Sequence, residues 1–241
     1  MSKGRNICAS SGSQPILAIS PDKKILTIRG AVFDTVTQLN SSVLFGEGVF
    51  ELDSDSNRRM ARWNLRCKAC FESYIAFAEA GYKFPEGHTR EESLWRTLCC
   101  NLTSEIPINR APKEYGAGYK ILRAIFETTK ADGLIDTEAL LTRIDVADYS
   151  HYMALVCTIG RFFRGKNLCV TAGGYLGNVP HGTLVGDKIC IVFGSTVPFL
   201  LRECSEGYFK LVGECYIHGV MDGEAMKERD MGALSRDFEI V

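Results

Sequence analysis

The stretch at residues 166–219 constrains this chain most. It reads KNLCVTAGGYLGNVPHGTLVGDKICIVFGSTVPFLLRECSEGYFKLVGECYIHG, a row of short apolar segments of strand length, each closed by glycine, proline or a charged turn. The segments cover 167–171, 188–193, 197–202 and 208–217, with a shorter one at Tyr175 and Leu176. Closely spaced strands with turn signals between them predict a small antiparallel barrel or sandwich. Gly177, Gly186, Asp187, Gly213 and Gly219 are the positions expected to determine its turns. Gly213 falls inside the last and longest segment, where a bulge would let one strand bend around a barrel.

Ahead of residue 166 the apolar period changes from two to about 3.6. Met60, Trp63, Cys67, Cys70, Phe71, Tyr74, Phe77 and Ala78 recur at three- and four-residue steps, which predicts a helix from Ser56 to about Gly81. The acidic residues Glu47, Glu51, Asp53 and Asp55 precede it and suit the positive end of its dipole. Thr89 with Glu92 makes a capping-box pattern before a second helix. Pro112 suits the first turn of a third helix, and a fourth helical region runs over 136–164, broken near 145–148. One strand-like segment stands apart at 24–36, and it is expected to pair with the C-terminal barrel or cover it. The expected fold is α+β, a helical N-terminal part packed against a small C-terminal antiparallel β-barrel. Its divisions are a flexible N-terminus at 1–22, a mainly helical region at 23–165, the barrel at 166–220 and a tail at 221–241.

Charge selects few partners. The chain has 28 Lys and Arg against 29 Asp and Glu, so no global field draws it to nucleic acid or an anionic membrane. Arg58, Arg62 and Arg66 form an i, i+4 ladder on the first helix, a basic face able to track phosphates. No aromatic platform interleaves with it, and a solvated face is the simpler account. Several of the ten cysteines sit inside apolar runs, which indicates buried thiols in a reducing compartment. With no signal-peptide pattern and no run of apolar residues long enough to span a membrane, a cytoplasmic protein is expected.

No constellation forces a reaction. Cys67 and Cys70 have the spacing of a zinc half-site, but His88, Cys99 and Cys100 do not supply the second half, and both cysteines lie on the apolar stripe. Candidates for nucleophilic catalysis are Cys215 or Ser195 with His218 or His181. No G-x-S-x-G elbow is present, and Cys215 and His218 stand three apart at a strand end, where side chains point to opposite faces. The expectation is a protein without catalytic residues, metal ligands or cofactor.

Several runs resemble a known family. Residues 164–171, Gly174-Tyr-Leu-Gly177, 186–194, 197–202 and the run YFKLVGECYIHGVMDGE at 208–224 resemble the C-terminal region of fungal heterokaryon incompatibility (HET domain) proteins. The segment ILTIRGAVFDTV at 25–36 resembles the strand found midway in those proteins, and LWRTL at 94–98 followed by RAPKEYG at 110–116 resembles their helical linker. The resemblance implies non-self recognition between fused hyphae. The family's N-terminal HET domain carries tyrosine-leucine-serine-tyrosine-tryptophan-glycine and tryptophan-rich motifs, which this chain lacks; its two tryptophans, Trp63 and Trp95, stand in helical patterns. A truncated member is therefore expected, a non-enzymatic interaction or regulatory module with a protein partner or effector domain. The alternatives are a small hydrolase with a site between the helical layer and the barrel, and nucleic-acid binding through the helix at 58–68.

Overall fold

The structure, a computed structural model, describes residues 7–40, 42, 56–228 and 230–241. Glu47, Glu51, Asp53 and Asp55, expected to precede the first helix, lie outside the described residues. In chain order the elements are β1 (Leu17–Ile19), β2 (Leu26–Asn40), α1 (Ser56–Ala78), α2 (Arg90–Leu98), α3 (Tyr115–Glu127), α4 (Thr137–Leu141), α5 (Tyr149–Phe162), β3 (Lys166–Thr171), β4 (Leu176–Pro180), β5 (Lys188–Val192), β6 (Phe199–Glu203), β7 (Phe209–Glu214), β8 (Tyr216–Ile217), α6 (Glu224–Glu228) and β9 (Arg236–Ile240).

The strand predicted at 24–36 is the 15-residue β2, and it runs through two assemblies. Its first half pairs with β9 over Leu26–Gly30 and with β5 over Gly30–Thr35. Together with the β5–β6, β6–β7 and β7–β9 pairings this closes a barrel of five strands. Its second half pairs with β3, and β4 and β8 continue outward as an open sheet. Register shifts between Val32 and Asp34 and between Val36 and Gln38 bend the strand from one assembly to the other. They also reverse its phase. Leu26, Ile28 and Val32 face the barrel interior, whereas Ala31, Phe33 and then Val36 face the core between barrel and sheet.

Alternation along β3 and β4 explains why the molecule has three layers. Leu168, Val170 and Leu176 point into the helical core with Phe71, Tyr74 and Leu155, while Cys169 and Val179 point the other way, towards Ile189, Ile191 and Leu200. A sheet buried on both faces satisfies its backbone internally and presents apolar side chains to each neighbour. Inside the barrel, Phe209 and Phe238 meet edge to face at 5.1 Å, packed with Cys190, Leu201 and Ile240.

The helices follow their sequence signals closely. Thr89 Oγ1 accepts from the Glu92 amide at 3.0 Å and caps α2, but the Glu92 carboxylate turns to Arg96 instead of back to Thr89, so the capping box is half made. Asp136 caps α4 and Asp145 caps the short turn ahead of α5, breaking the fourth helical region where predicted.

Four expectations are corrected by these pairings. The barrel is mixed and not purely antiparallel, because β9 enters beside β7 in parallel. It is not confined to 166–220, since β2 and β9 supply two of its strands. Residues 7–20 are not loosely held: Ala9 and Ser10 are buried, Cys8 donates its amide to Met221 O at 2.9 Å, and β1 pairs with β2. The supposed tail ends in β9, whose Phe238 is fully buried. β1 and β9 are short strands that complete a ladder on β2, and that requirement outweighs their own weak local pattern.

Candidate functional site

Between the helical layer and the sheet lies a polar junction. His88 precedes α2, and Tyr216 and His218, two residues apart, project from β8 towards it. Tyr216 Oη stands 2.7 Å from His218 Nδ1, and His218 Nε2 stands 3.0 Å from His88 Nδ1, with the two imidazoles stacked at 5.2 Å. His88 Nε2 is 3.8 Å from Glu92 Oε1. With the phenol as donor, Tyr216 donates to His218 Nδ1 and His218 Nε2–H donates to His88 Nδ1, which matches a donor to an acceptor at both contacts. Glu92 in turn accepts from Arg96 Nε and faces its Nη2, while Arg96 Nη1 donates to both Asn101 Oδ1 at 2.6 Å and Ala111 O at 3.0 Å. Arg110 and Asp222 form an ion pair that ties the segment before α3 to the turn after β8.

Burial sets the electrostatics. It pushes His218 down from 6.5 to about 3, helped by His88 and Arg96, and holds the Tyr216 phenol well above its usual range. Both groups are therefore neutral at physiological pH. An imidazole so hard to protonate is a poor general base, and a phenol so reluctant to ionise is a poor nucleophile. What the chain of hydrogen bonds does is brace the segment before α2 against β8 through two groups, Tyr216 and His218, that carry no charge.

The weighed nucleophiles are dispersed. Cys215 is buried on the opposite side of its strand from His218, its thiol pushed far up by desolvation, and it contacts Pro198 O. Ser195 Oγ bonds Val197 within its own turn, and His181 lies near Asn167 Oδ1 at 3.4 Å. Cys67 and Cys70 are free thiols on α1, with Cys67 raised to about 12 by burial. Among the described residues no cluster of three metal-ligating side chains occurs.

The turn positions divide by role. Gly213 has φ +150° where Leu200 pairs with Gly213 and Leu201 with Leu211, so Val212 is the extra residue of a bulge. Gly219, at φ +86°, makes the turn after β8 and lets Pro85 approach, which brings the His88 segment to His218. Gly186 precedes β5 at φ +98°. Asp187 is 3% exposed and fixes this corner: its two oxygens accept from Arg202 Nε and Nη2, both at 2.8 Å, and one accepts from the Leu184 amide. Gly177 is not in a turn. It lies within β4, where a Cβ would stand 2.7 Å from Cys169 Sγ and 2.6 Å from Ile217 Cδ1, so it is a site of close approach.

Arg58, Arg62 and Arg66 are exposed on α1. The aromatic residues of that helix, Phe71 and Tyr74 among them, face the interior instead, so the basic face lacks a stacking platform. Their inner neighbours line a cavity of about 330 Å³ within the helical layer, bounded by α1, α3 and α5. Sequence periodicity identified that apolar stripe but not the space beside it. The His88–His218 contact was equally hidden, because 130 residues separate its partners.

A closed mixed barrel, sheathed by a short sheet and a layer of helices, defines a β-barrel domain in which the barrel begins with a strand preceding the helices. The chain belongs to the Het-6 β-barrel domain family, which it matches over residues 23–240. It is also similar to heterokaryon incompatibility protein 6, OR allele, of Neurospora crassa, at 35% identity over 77 residues. That match covers 31% of this chain and 11% of the relative's length. No solved structure matches the chain.

Proposed function

We propose that this protein is a non-enzymatic interaction or regulatory module in fungal non-self recognition, acting by holding, sensing for or restraining an effector domain. The observation that carries the reading is the family match over residues 23–240, joined to the similarity with a protein named for heterokaryon incompatibility. The brace at the helix–sheet junction is consistent with it, since a rigid interior suits a module that works through its surface. The ten free thiols support a reducing, cytoplasmic setting. Among the described residues no helix is long and apolar enough to cross a membrane.

The test is affinity capture of the full chain from fusing fungal cells, run beside a turnover screen with ester, phosphate and NAD substrates. Specific capture of a HET-domain protein without turnover is the expected result. A small hydrolase with a site between the helical layer and the barrel is the second reading; the observation behind it is the convergence of Tyr216, His218 and His88, against which stands the neutrality that burial imposes on the first two. Turnover abolished in His218→Gln would establish that reading and overturn the first.

A further inference from the structure

The turn between β1 and β2 carries a serine that the core does not use. Ser20 precedes Pro21, and none of the other prolines in the chain follows a serine or threonine. Lys23 and Lys24 stand three and four positions after it. Serine followed by proline, with a cation three positions on, is the pattern that proline-directed serine kinases accept. Their cleft offers no acceptor to the N–H of the residue after the serine, and proline has no N–H to leave unsatisfied.

The surroundings are accessible. From Gln14 to Lys24 every residue is exposed except Ser20, which is half-buried. Leu17 and Ile19 are 63% and 62% exposed, so lifting β1 from β2 breaks a three-pair ladder and uncovers little apolar surface. Segments held in this way open locally at the low end of a protein's stability range, which lets an enzyme draw them into an extended form.

The hydroxyl is also the pivot of the turn. Ser20 Oγ donates to Asp22 Oδ1 at 2.6 Å and accepts from the Ile25 amide at 3.0 Å. The Lys23 amide donates to Ser20 O at 2.8 Å, and the Ser20 amide to Ile25 O at 2.9 Å. The Ser20 hydroxyl, followed by the Lys24 amide, holds the Asp22 carboxyl below its usual range. A phosphate on Oγ removes the proton that Asp22 accepts and sets a charge of about −1.5 to −2 against that carboxylate. Lys24 Nζ, 4.0 Å from Asp22 Oδ2 and 80% exposed, is too well solvated to offset the repulsion.

We propose that Ser20 is a phosphorylation site for a proline-directed serine kinase, and that its modification frees β1 from β2. Ser20 Oγ attacks the γ-phosphorus of ATP. The new O–P bond forms as the bond to ADP breaks, and the hydroxyl proton passes to the kinase's catalytic base. The site shares no residue with the junction of His88 and His218, and its modification does not depend on the interaction role proposed above.

The test treats the full folded chain with a recombinant cyclin-dependent kinase and ATP, and locates phosphate by tandem mass spectrometry. Near-stoichiometric phosphate on Ser20 is expected. Ser20→Ala should abolish incorporation, and Pro21→Ala should slow it at least tenfold. Lys23→Gly, which removes the charge but accepts the left-handed backbone at φ +58°, should slow it several-fold. Phosphate only on other residues would overturn the proposal, as would a Pro21→Ala chain modified at the parent rate. So would a synthetic peptide of residues 14–27 that is modified while the folded chain is not. Hydrogen exchange of the phosphorylated chain reads the structural claim. The amides of Ser20, Ile25 and Arg29, which bond across this hairpin, should exchange at least tenfold faster while that of His218 is unchanged. Undiminished protection at Ser20 and Arg29 would refute the release of β1.

Discussion

The barrel and the helical layer solve the same packing problem with different completeness. In the barrel, closure pairs β2 with β5 and leaves so little interior that Phe209, Phe238, Cys190, Leu201 and Ile240 occupy it. In the helical layer, α3 and α5 come close because Gly118 lets the His151 backbone approach; a Cβ there would lie 2.6 Å from it. α1 is approached at one point, where Gly133 sits against the Ala61 backbone, and elsewhere meets α3 and α5 through Trp63, Phe71 and Tyr74, which leaves the cavity. A sheet that closes on itself fixes its interior by strand number and stagger, whereas helices set their spacing by whatever side chains meet.

Substitutions test this contrast. The largest effect belongs to Phe238→Ala, which removes a fully buried ring from an interior that cannot collapse around the void. A loss of about 3–5 kcal/mol is expected by chemical denaturation, and a loss under ~1 kcal/mol would show the barrel to be as loose as the helical layer. Gly213→Val should cost about 1–3 kcal/mol, read as a lower melting temperature, because φ +150° at the bulge is closed to a β-branched residue.

At the junction the expected signature is a pH dependence. His218 has a folded pKa of about 3 against an ordinary value of 6.5, so between those values the unfolded chain binds the extra proton. Stability is complete above pH 6.5 and falls as the solution is acidified through that window, by at most about 1.4 kcal/mol per pH unit from this group. Denaturant titrations at several pH values should show a shallower acid limb for His218→Gln. The smallest effect is expected for Met60→Ala, an exposed residue of the cavity lining, within about 0.5 kcal/mol of the parent. A cost of several kcal/mol there would mean that α1 is packed as tightly as β2.

The parts legible in the sequence were those written in local chemistry. Thr89 announced the start of α2, Asp145 lay at the break before α5, and Gly213 marked the bulge, each within a few residues of its effect. The segment at 25–36 was recognisable as a strand that needed distant partners, although not as one strand serving two assemblies. What could not be read was set by long-range pairing. Arg236–Ile240 has little strand character of its own and becomes β9 because β2 offers an open ladder. Gly177 looked like a turn residue because glycine signals turns, yet its reason is the thiol of Cys169 against its backbone. The brace that joins Tyr216 and His218 to His88 depended on burial that no periodicity encodes.

The double membership of β2 also governs the order in which this molecule can be made. Leu26 pairs with Ile240, far along the chain, so the barrel cannot close until the β9 segment has left the ribosome. The helical layer, whose core residues run from Phe71 to Leu176, is free to assemble before that moment. Until then β2 waits with one side of its first half unpartnered by β9, an exposed edge during synthesis. Topologies of this kind fold slowly and depend on protection of the early strand. Closure of the barrel therefore waits on the arrival of β9.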